Sequence, residues 1–230
     1  MNVNKMCDLS SYSGSLSQRI YLSLKDCILS MDYPPGTVLK KVAICEHFNV
    51  SRSPVSEAIA KLASENLVEV IPQASTKVSR FCLSELTEAC FIRTVLESAA
   101  ASKVAEDRRD EQLQKLSRNI RLQKLLVEDK EFEEFYKADE EFHTLIMEFT
   151  GFPNLAQVSS NISLQLQRAR KLILPEKGRV LESYKEHLEI YECIKNQDSD
   201  AASEAMTFHV RQLLPRLGKL EKKHASLFKM

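Results

Sequence analysis

The sequence predicts a mainly α-helical protein, with one small β-hairpin near its N-terminal end and a bundle of about six helices after it. The 230 residues include five glycines, seven prolines and no tryptophan, too few turn residues for an all-β sandwich. Long stretches repeat apolar residues at helical spacing, and 43% of the residues are hydrophobic, enough for a buried core. Two short β-branched runs near residue 70 fit a single hairpin.

Charge and cysteine usage limit the classes of protein to consider. The 32 basic residues balance 32 acidic ones, so a DNA partner would have to rest on local charge placement. The six cysteines form no CxxC pair, and no apolar run approaches the roughly 18 residues of a membrane span. We expect a cytoplasmic protein with reduced thiols and no membrane partner. Residues 1–13 are expected to be disordered and residues 223–230 to form a charged tail.

The first domain is predicted over residues 14–79 and begins with a helix. Residues 15–31 place apolar side chains on one stripe, which is typical of an amphipathic helix. The Pro-Pro-Gly run at 34–36 ends that helix, and residues 38–39 predict a short extended stretch.

Two further helices follow in the same domain. Residues 40–48 predict a short helix, and Asn49 favours a tight turn because asparagine tolerates left-handed geometry. Either Ser51 or Ser53 caps the next helix, with Pro54 in its first turn, where a missing N–H costs little.

The hairpin completes this domain. Residues 67–71 and 76–79 read as two strands joined by a turn. Helix, helix, tight turn, helix and hairpin form the order of a winged helix-turn-helix, in which the third helix enters the DNA major groove. A protein-interaction module is the alternative for such a unit. The expected DNA contacts are the polar start of the third helix and two lysines: Lys41, Ser51, Arg52, Ser53, Ser56 and Lys77.

The second domain is predicted over residues 80–222 and is helical throughout. Gly151 to Pro153 stops one helix, and Asp198 caps another. Pro215 is a site for a kink in the last helix. Six helices are expected, over residues 83–106, 111–126, 130–150, 154–174, 175–196 and 200–220.

Four polar residues fall where the helical pattern calls for apolar ones. Asp139 and His143 lie four apart on one stripe, and His187 and His209 lie on the stripes of two later helices. A lone histidine on an apolar face is usually a hydrogen-bonded core residue, and a buried aspartate without a partner is costly. Together the four predict a site for a divalent metal. A polar core network without metal is the alternative.

Three imidazoles and one carboxylate suit a transition metal rather than Ca²⁺ or Mg²⁺. We expect zinc, with nickel, cobalt or manganese as alternatives. Such a site could activate water for hydrolysis, but no clear general base accompanies it, so we rank an enzyme last and expect none.

Residues 15–79 resemble the winged helix of GntR-type bacterial transcription regulators. The resemblance rests on residues 33–36, on the run VSRSPVSEAI at 50–59 and on LASENLV at 62–68. The helical remainder resembles the ligand-binding domain of the FadR subgroup, whose Asp-x-x-x-His and two later histidines match the four residues above. This chain departs from the family at Val42 and Ser56, where arginine is common, and at Ala74-Ser75, where glycine is usual.

The resemblance implies a homodimer that binds double-stranded operator DNA and a small organic-acid effector beside the metal. It places Arg93 near the effector carboxylate, although Arg93 could equally pair only with Glu97. The predicted function is therefore a transcription regulator, a repressor, whose operator binding is controlled by a carboxylate-bearing metabolite. A pure metal-ion sensor is the second hypothesis, and a metal-dependent hydrolase the third.

Overall fold

The computed structural model describes Asn2, residues 5–176 and residues 178–229, and the chain divides into two compact units. One unit joins residues 1–83 to residues 221–230, and the other comprises residues 84–220. The described residues are mainly α-helical with one small sheet, which confirms the predicted fold class.

Three helices form the core of the first unit. Ser15 starts the first of them, because its Oγ accepts a hydrogen bond from the Gln18 N–H at 3.2 Å. Asn49 ends the second in left-handed geometry, with φ of 51°, as predicted. The helices are α1 (Leu16–Leu29), α2 (Lys41–Phe48) and α3 (Arg52–Ser64).

The sheet of this unit has three strands rather than the two predicted. The hairpin pairs β2 (Val68–Ile71) with β3 (Ser75–Val78), and Gln73 takes φ of 57° at its tip. The stretch β1 (Val38–Leu39) pairs with the free edge of β3, giving the order β1-β3-β2. A two-residue strand has no periodicity, so its pairing could not be predicted from the pattern.

The structure differs from the expectation of disorder in residues 1–13. Met6 is buried, and the Ser23 hydroxyl donates to the Cys7 carbonyl at 3.1 Å. The Tyr12 hydroxyl donates to Asp26 at 2.6 Å. One apolar side chain in a polar run is enough to hold this segment on α1. The first, third and fourth residues, which the same expectation covered, lie outside the described residues.

The expected charged tail also differs. Residues 225–227 form a 3₁₀ turn, and Phe228 is buried in the first unit. Burial of the large apolar Phe228 ring explains this packing. Met230 lies outside the described residues.

The described part of the second unit holds seven helices rather than six. The helix expected over residues 200–220 is divided at Gln212, since Pro215 has no N–H to donate to the Arg211 carbonyl. The helix predicted to begin at Pro175 begins four residues later, at Arg179, and the other predicted bounds lie within about three residues of those observed. The observed helices are α4 (Leu83–Asp107), α5 (Asp110–Asp129), α6 (Phe132–Phe149), α7 (Leu155–Ile173), α8 (Arg179–Lys195), α9 (Ser199–Arg211) and α10 (Leu213–Lys223).

The core of the second unit lies between these helices. Phe135, Phe142 and Ile146 on α6 are fully buried, and they alternate with the polar residues predicted to face inward. Among the described residues, no helix is long and apolar enough to cross a membrane.

Candidate metal centre and DNA-contacting surface

Three histidines from three helices meet in the core of the second unit. His143 of α6, His187 of α8 and His209 of α9 are all at least 94% buried. Their Nε2 atoms converge, with His209 Nε2 lying 3.1 Å from His187 Nε2 and 3.2 Å from His143 Nε2. The pattern of apolar spacing therefore identified three side chains that the fold brings to one point.

A chain of amides determines which nitrogen of His187 carries the proton. Asn119 Nδ2 donates to the Ala138 carbonyl at 3.0 Å, so Asn119 Oδ1 is left to accept from Gln123 Nε2 at 2.7 Å. Gln123 Oε1 must then accept from His187 Nδ1, at 2.8 Å. His187 Nε2 therefore presents a lone pair to the centre.

Glu186 determines in the same way which nitrogen of His209 carries the proton. The carboxylate accepts from Arg179 Nη1 and Nη2 at 2.9 and 3.0 Å, and it lies 2.6 Å from His209 Nδ1. Burial opposes ionisation of Glu186, but the hydrogen bonds from His209 and Arg179 outweigh it and lower its pKa. An ionised carboxylate only accepts hydrogen bonds, so His209 Nδ1 carries the proton and Nε2 the lone pair.

Glu97 faces Nδ1 of His143, as Glu186 faces Nδ1 of His209. Its Oε2 lies 2.8 Å from His143 Nδ1, at an angle too poor for a full hydrogen bond. Burial alone would raise the pKa of Glu97, but Arg93 and His143 hold it well below the usual range. Arg93 binds Glu97 through Nε at 2.6 Å and Nη2 at 3.2 Å. The pairing considered as one role for Arg93 is thus present, and a contact of Arg93 with an effector stays a prediction.

Burial keeps the imidazoles of His187 and His209 neutral. It lowers the pKa of His209 to about 4, although the hydrogen bond to Glu186 acts in the opposite direction. Burial and the neighbouring His209 lower the pKa of His187 well below its usual value. His187 and His209 therefore direct their Nε2 lone pairs at one another across 3.1 Å, which is repulsive unless a cation lies between them.

The donor set fits a transition-metal ion. Ligand atoms about 2.1 Å from one ion lie ~3.0 Å apart at octahedral angles and ~3.4 Å apart at tetrahedral angles. The two Nε2 separations of 3.1 and 3.2 Å fall in this range. Outer acceptors on each Nδ1 are the usual surroundings of a histidine that binds metal.

Asp139 lies at the edge of this cluster and forms an ion pair with an arginine. One carboxylate oxygen binds Arg170 of α7, and the other accepts from the Ser183 hydroxyl at 3.1 Å and lies 3.7 Å from His187 Nε2. Burial acts to raise the pKa of Asp139, but Arg170 outweighs it and keeps the carboxylate ionised. Among the described residues, the ligand atoms that lie within 4.8 Å of one another are those of the three histidines, so the role of Asp139 as a fourth ligand stays a prediction.

Two small cavities adjoin the cluster. One, of 60 Å³, is lined by His143, Arg93, Glu97 and Glu140, among others. The other, of 10 Å³, touches Asp139 and His209 and is walled by three buried guanidinium groups. These belong to Arg93, Arg170 and Arg179, and each already binds a carboxylate.

The predicted DNA-contacting residues lie in the first unit, around the start of α3. Lys41 is exposed at the first position of α2, and Lys77 is half-buried on β3. Ser51, Arg52, Ser53 and Ser56 are exposed at the first turns of α3. Ser51 occupies the N-cap position without a side-chain cap bond, and the Ser53 hydroxyl donates to Glu57 at 3.3 Å, so neither serine caps the helix as predicted.

Sequence reasoning missed the residues that hydrogen-bond the histidines or pair with Asp139. Glu186, Gln123 and Arg170 lie at buried or half-buried positions of helices whose other faces are polar. Their signal in the sequence is weak, because Glu, Gln and Arg are also the commonest residues on exposed helix faces. The Arg93 and Glu97 pair was visible from its spacing of four residues.

Two family models match the chain. Residues 16–78 match the bacterial regulatory proteins of the gntR family, and residues 88–212 match the FCD domain. The second match alone spans more than half of the 230 residues.

Curated relatives are similar over most of the chain. The HTH-type transcriptional repressor RspR of Escherichia coli K12 is 27% identical over 213 residues, covering 93% of each chain. The gluconate operon transcriptional repressor of Bacillus licheniformis is 28% identical over 195 residues, covering 81% of this chain and 79% of its own. The galactonate operon transcriptional repressor of Escherichia coli K12 is 26% identical over 211 residues, covering 82% and 91%.

A solved structure has the same fold. E. coli McbR/YncC superposes with a TM-score of 0.76 at 20% identity, covering 90% of this chain and 99% of that one. The predicted resemblance to GntR-type regulators is confirmed, and the relatives are transcription regulators rather than enzymes. The chain belongs to the gntR family of bacterial regulatory proteins, with a DNA-binding winged helix followed by an effector-binding FCD domain.

Proposed function

We propose that this protein is a FadR-type transcriptional repressor, active as a homodimer on double-stranded operator DNA, whose DNA binding is controlled by a small organic acid beside a divalent metal ion. The observation that carries the proposal is the convergence of three Nε2 atoms, since those of His187 and His143 lie 3.1 and 3.2 Å from that of His209. Three curated relatives that span most of the chain are named as repressors, which supports the sign of regulation.

His143, His187, His209 and Asp139 would hold the ion, and zinc fits the three imidazoles and one carboxylate best, with nickel, cobalt and manganese as alternatives. Bound there, a divalent ion supplies positive charge that can hold a ligand carboxylate. Gln123 and Glu186 hold the rings of His187 and His209 in the orientation and tautomer that binding requires, and Glu97 lies 2.8 Å from His143 Nδ1.

The effector would lie in the cavity beside His143. Its 60 Å³ has room for about four to six water-sized groups, at about 10–15 Å³ for each. A two- to four-carbon monocarboxylate therefore fits without rearrangement, whereas a sugar acid such as gluconate would need the cavity to open. Because Arg93 already binds Glu97, an effector carboxylate either binds the ion alone or displaces Glu97 from Arg93.

In the first unit, α3 is the element that would enter the major groove, with Arg52 reaching a base edge or a phosphate. Two such helices in a homodimer read half-sites about one helical turn apart. Effector binding and operator binding must then change each other's affinity by the same factor.

Elemental analysis of the purified protein and an operator selected from a random DNA pool provide the test. We expect about one transition-metal ion per chain and tight operator binding in the metal-loaded protein. His187→Ala should abolish metal retention, while His224→Ala, outside the cluster, should leave it unchanged. A series of short acids should then be screened for one that raises thermal stability and releases the operator. Protein that takes up no transition metal from excess zinc would refute the metal-based function.

A second candidate, a sensor of the metal ion itself, is favoured by the small size of both cavities, 60 and 10 Å³. Titration with zinc separates the two. A metal sensor changes operator affinity as zinc binds, in the absence of any organic acid. An effector-controlled regulator changes it only when the acid is added to the zinc-loaded protein.

A further inference from the structure

Residues 225–229 are built into the winged-helix unit by backbone pairing. Phe81 lies three residues after the end of β3, and it forms a parallel β-bridge with Phe228. The Phe81 N–H donates to the Leu227 carbonyl at 2.9 Å, and the Lys229 N–H donates to the Phe81 carbonyl at 2.7 Å. These hydrogen bonds hold residues 225–229 beside the segment that leaves the hairpin.

Side chains strengthen this pairing. The rings of Phe81 and Phe228 are both buried, with centroids 5.3 Å apart. Arg80 Nε donates to the Ser226 carbonyl at 3.1 Å, and Lys229 Nζ lies 3.2 Å from Glu69 Oε1 on β2. The ion pair is exposed and contributes little, so burial of the two rings dominates.

This pairing lies close to both places where the chain passes between the winged-helix unit and the helical unit. The chain leaves the winged-helix unit after Leu83 and returns to it at Glu221, so the helical unit is connected through two crossings. The second crossing runs within α10, whose residues Leu213, Leu217 and Leu220 are buried. Only Gln212 separates α10 from α9, which carries His209.

We propose that residues 225–229 form a clasp, a segment that holds the chain at Phe81, just before it leaves the winged-helix unit. The clasp also transmits structural changes at α9, through α10, to the hairpin. The second half of this proposal rests on the proposed function, because it requires that an ion binds His209. The clasp itself does not depend on any ligand.

Hydrogen exchange in metal-free protein tests the clasp. Phe228→Ala removes the buried ring and leaves the backbone able to pair. We expect amides of residues 76–82 to exchange at least ~10-fold faster in this variant, with the amides of α6 and α8 unchanged. Lys222→Ala, at an exposed position of α10, is the matched control and should exchange like the wild type. Unchanged exchange over residues 76–82 in Phe228→Ala would overturn the clasp.

Zinc alone is the probe for the second half. In the wild type, saturating zinc should alter exchange over residues 76–82 by a few-fold, on the scale of local opening equilibria. In Phe228→Ala the zinc affinity should be retained and this response lost. If the response persists in Phe228→Ala, or is absent from the wild type although zinc binds, the clasp conveys nothing. If zinc does not bind at all, the proposed function fails, while the metal-free experiment still decides whether the clasp exists.

Discussion

Gln123 and His187 are joined by a 2.8 Å hydrogen bond that determines which face of the imidazole is available at the centre of the bundle. Asn119 fixes the orientation of the Gln123 amide, so the proton on His187 is assigned by an uninterrupted set of donors and acceptors. A glutamine without charge thus controls a site whose other outer groups are ionised.

Removal of this acceptor should weaken metal binding. We expect Gln123→Leu to reduce zinc affinity by roughly 10- to 100-fold, because His187 Nδ1 loses its partner and the ring is free to take the other tautomer. Gln123→Glu restores an acceptor at the same position and should recover most of the affinity. Competition against a zinc-binding dye measures both variants, and wild-type affinity in Gln123→Leu would contradict the assigned role.

Arg93 should contribute strongly to the free energy of unfolding, because it neutralises the buried carboxylate of Glu97. Arg93→Ala leaves Glu97 almost fully buried without its cation, which should cost about 3 kcal/mol of unfolding free energy. Urea denaturation of the metal-free protein measures this cost.

The double variant Arg93→Met with Glu97→Gln removes both charges at once and should recover much of the lost stability. A loss below about 1 kcal/mol in Arg93→Ala would mean that water reaches Glu97 and stabilises its charge.

Arg52 should be required for sequence-specific DNA binding and not for folding. It is exposed at the first position of α3, so Arg52→Ala should leave thermal stability unchanged and abolish specific operator binding, a loss of at least 10-fold. Arg118→Ala, an exposed arginine of the helical unit, controls for bulk charge. A footprint at the operator retained by Arg52→Ala would refute this prediction.

The metal-free protein should lose stability as the pH falls below neutral. The pKa of His209 is about 4 in the folded chain, against about 6.5 when unfolded. Between these values the unfolded chain binds a proton that the folded chain does not, so stability decreases from pH 6.5 towards pH 4. His187, whose pKa is also lowered, acts in the same direction.

The loss from His209 alone should be on the order of 3 kcal/mol across this range. Chemical denaturation at a series of pH values measures it. His209→Asn should flatten the dependence and His224→Ala should not. A wild-type stability that stays level from pH 6.5 to pH 4 would show that the folded chain takes up the same proton.

Local chemistry explains why much of the fold could be predicted. The left-handed Asn49, the hairpin after α3 and the inward-facing histidines follow from backbone preference and periodicity within single elements. The partners of those histidines could not be predicted, because Gln123 and Glu186 reach them only through the offset and rotation of one helix against another. The pairing of Asp139 with Arg170, between α6 and α7, depends on the same geometry.

The buried ion pairs also constrain how this protein can change in evolution. Neither Arg93 nor Glu97 can be lost alone without leaving an uncompensated charge in the core, and the same holds for Arg179 and Glu186. Across natural variants, the two positions of each pair should therefore covary, passing together from ionic to apolar or amide residues. Where one pair is lost, we expect weaker selection on the histidine beside it, so that this histidine varies among the same sequences.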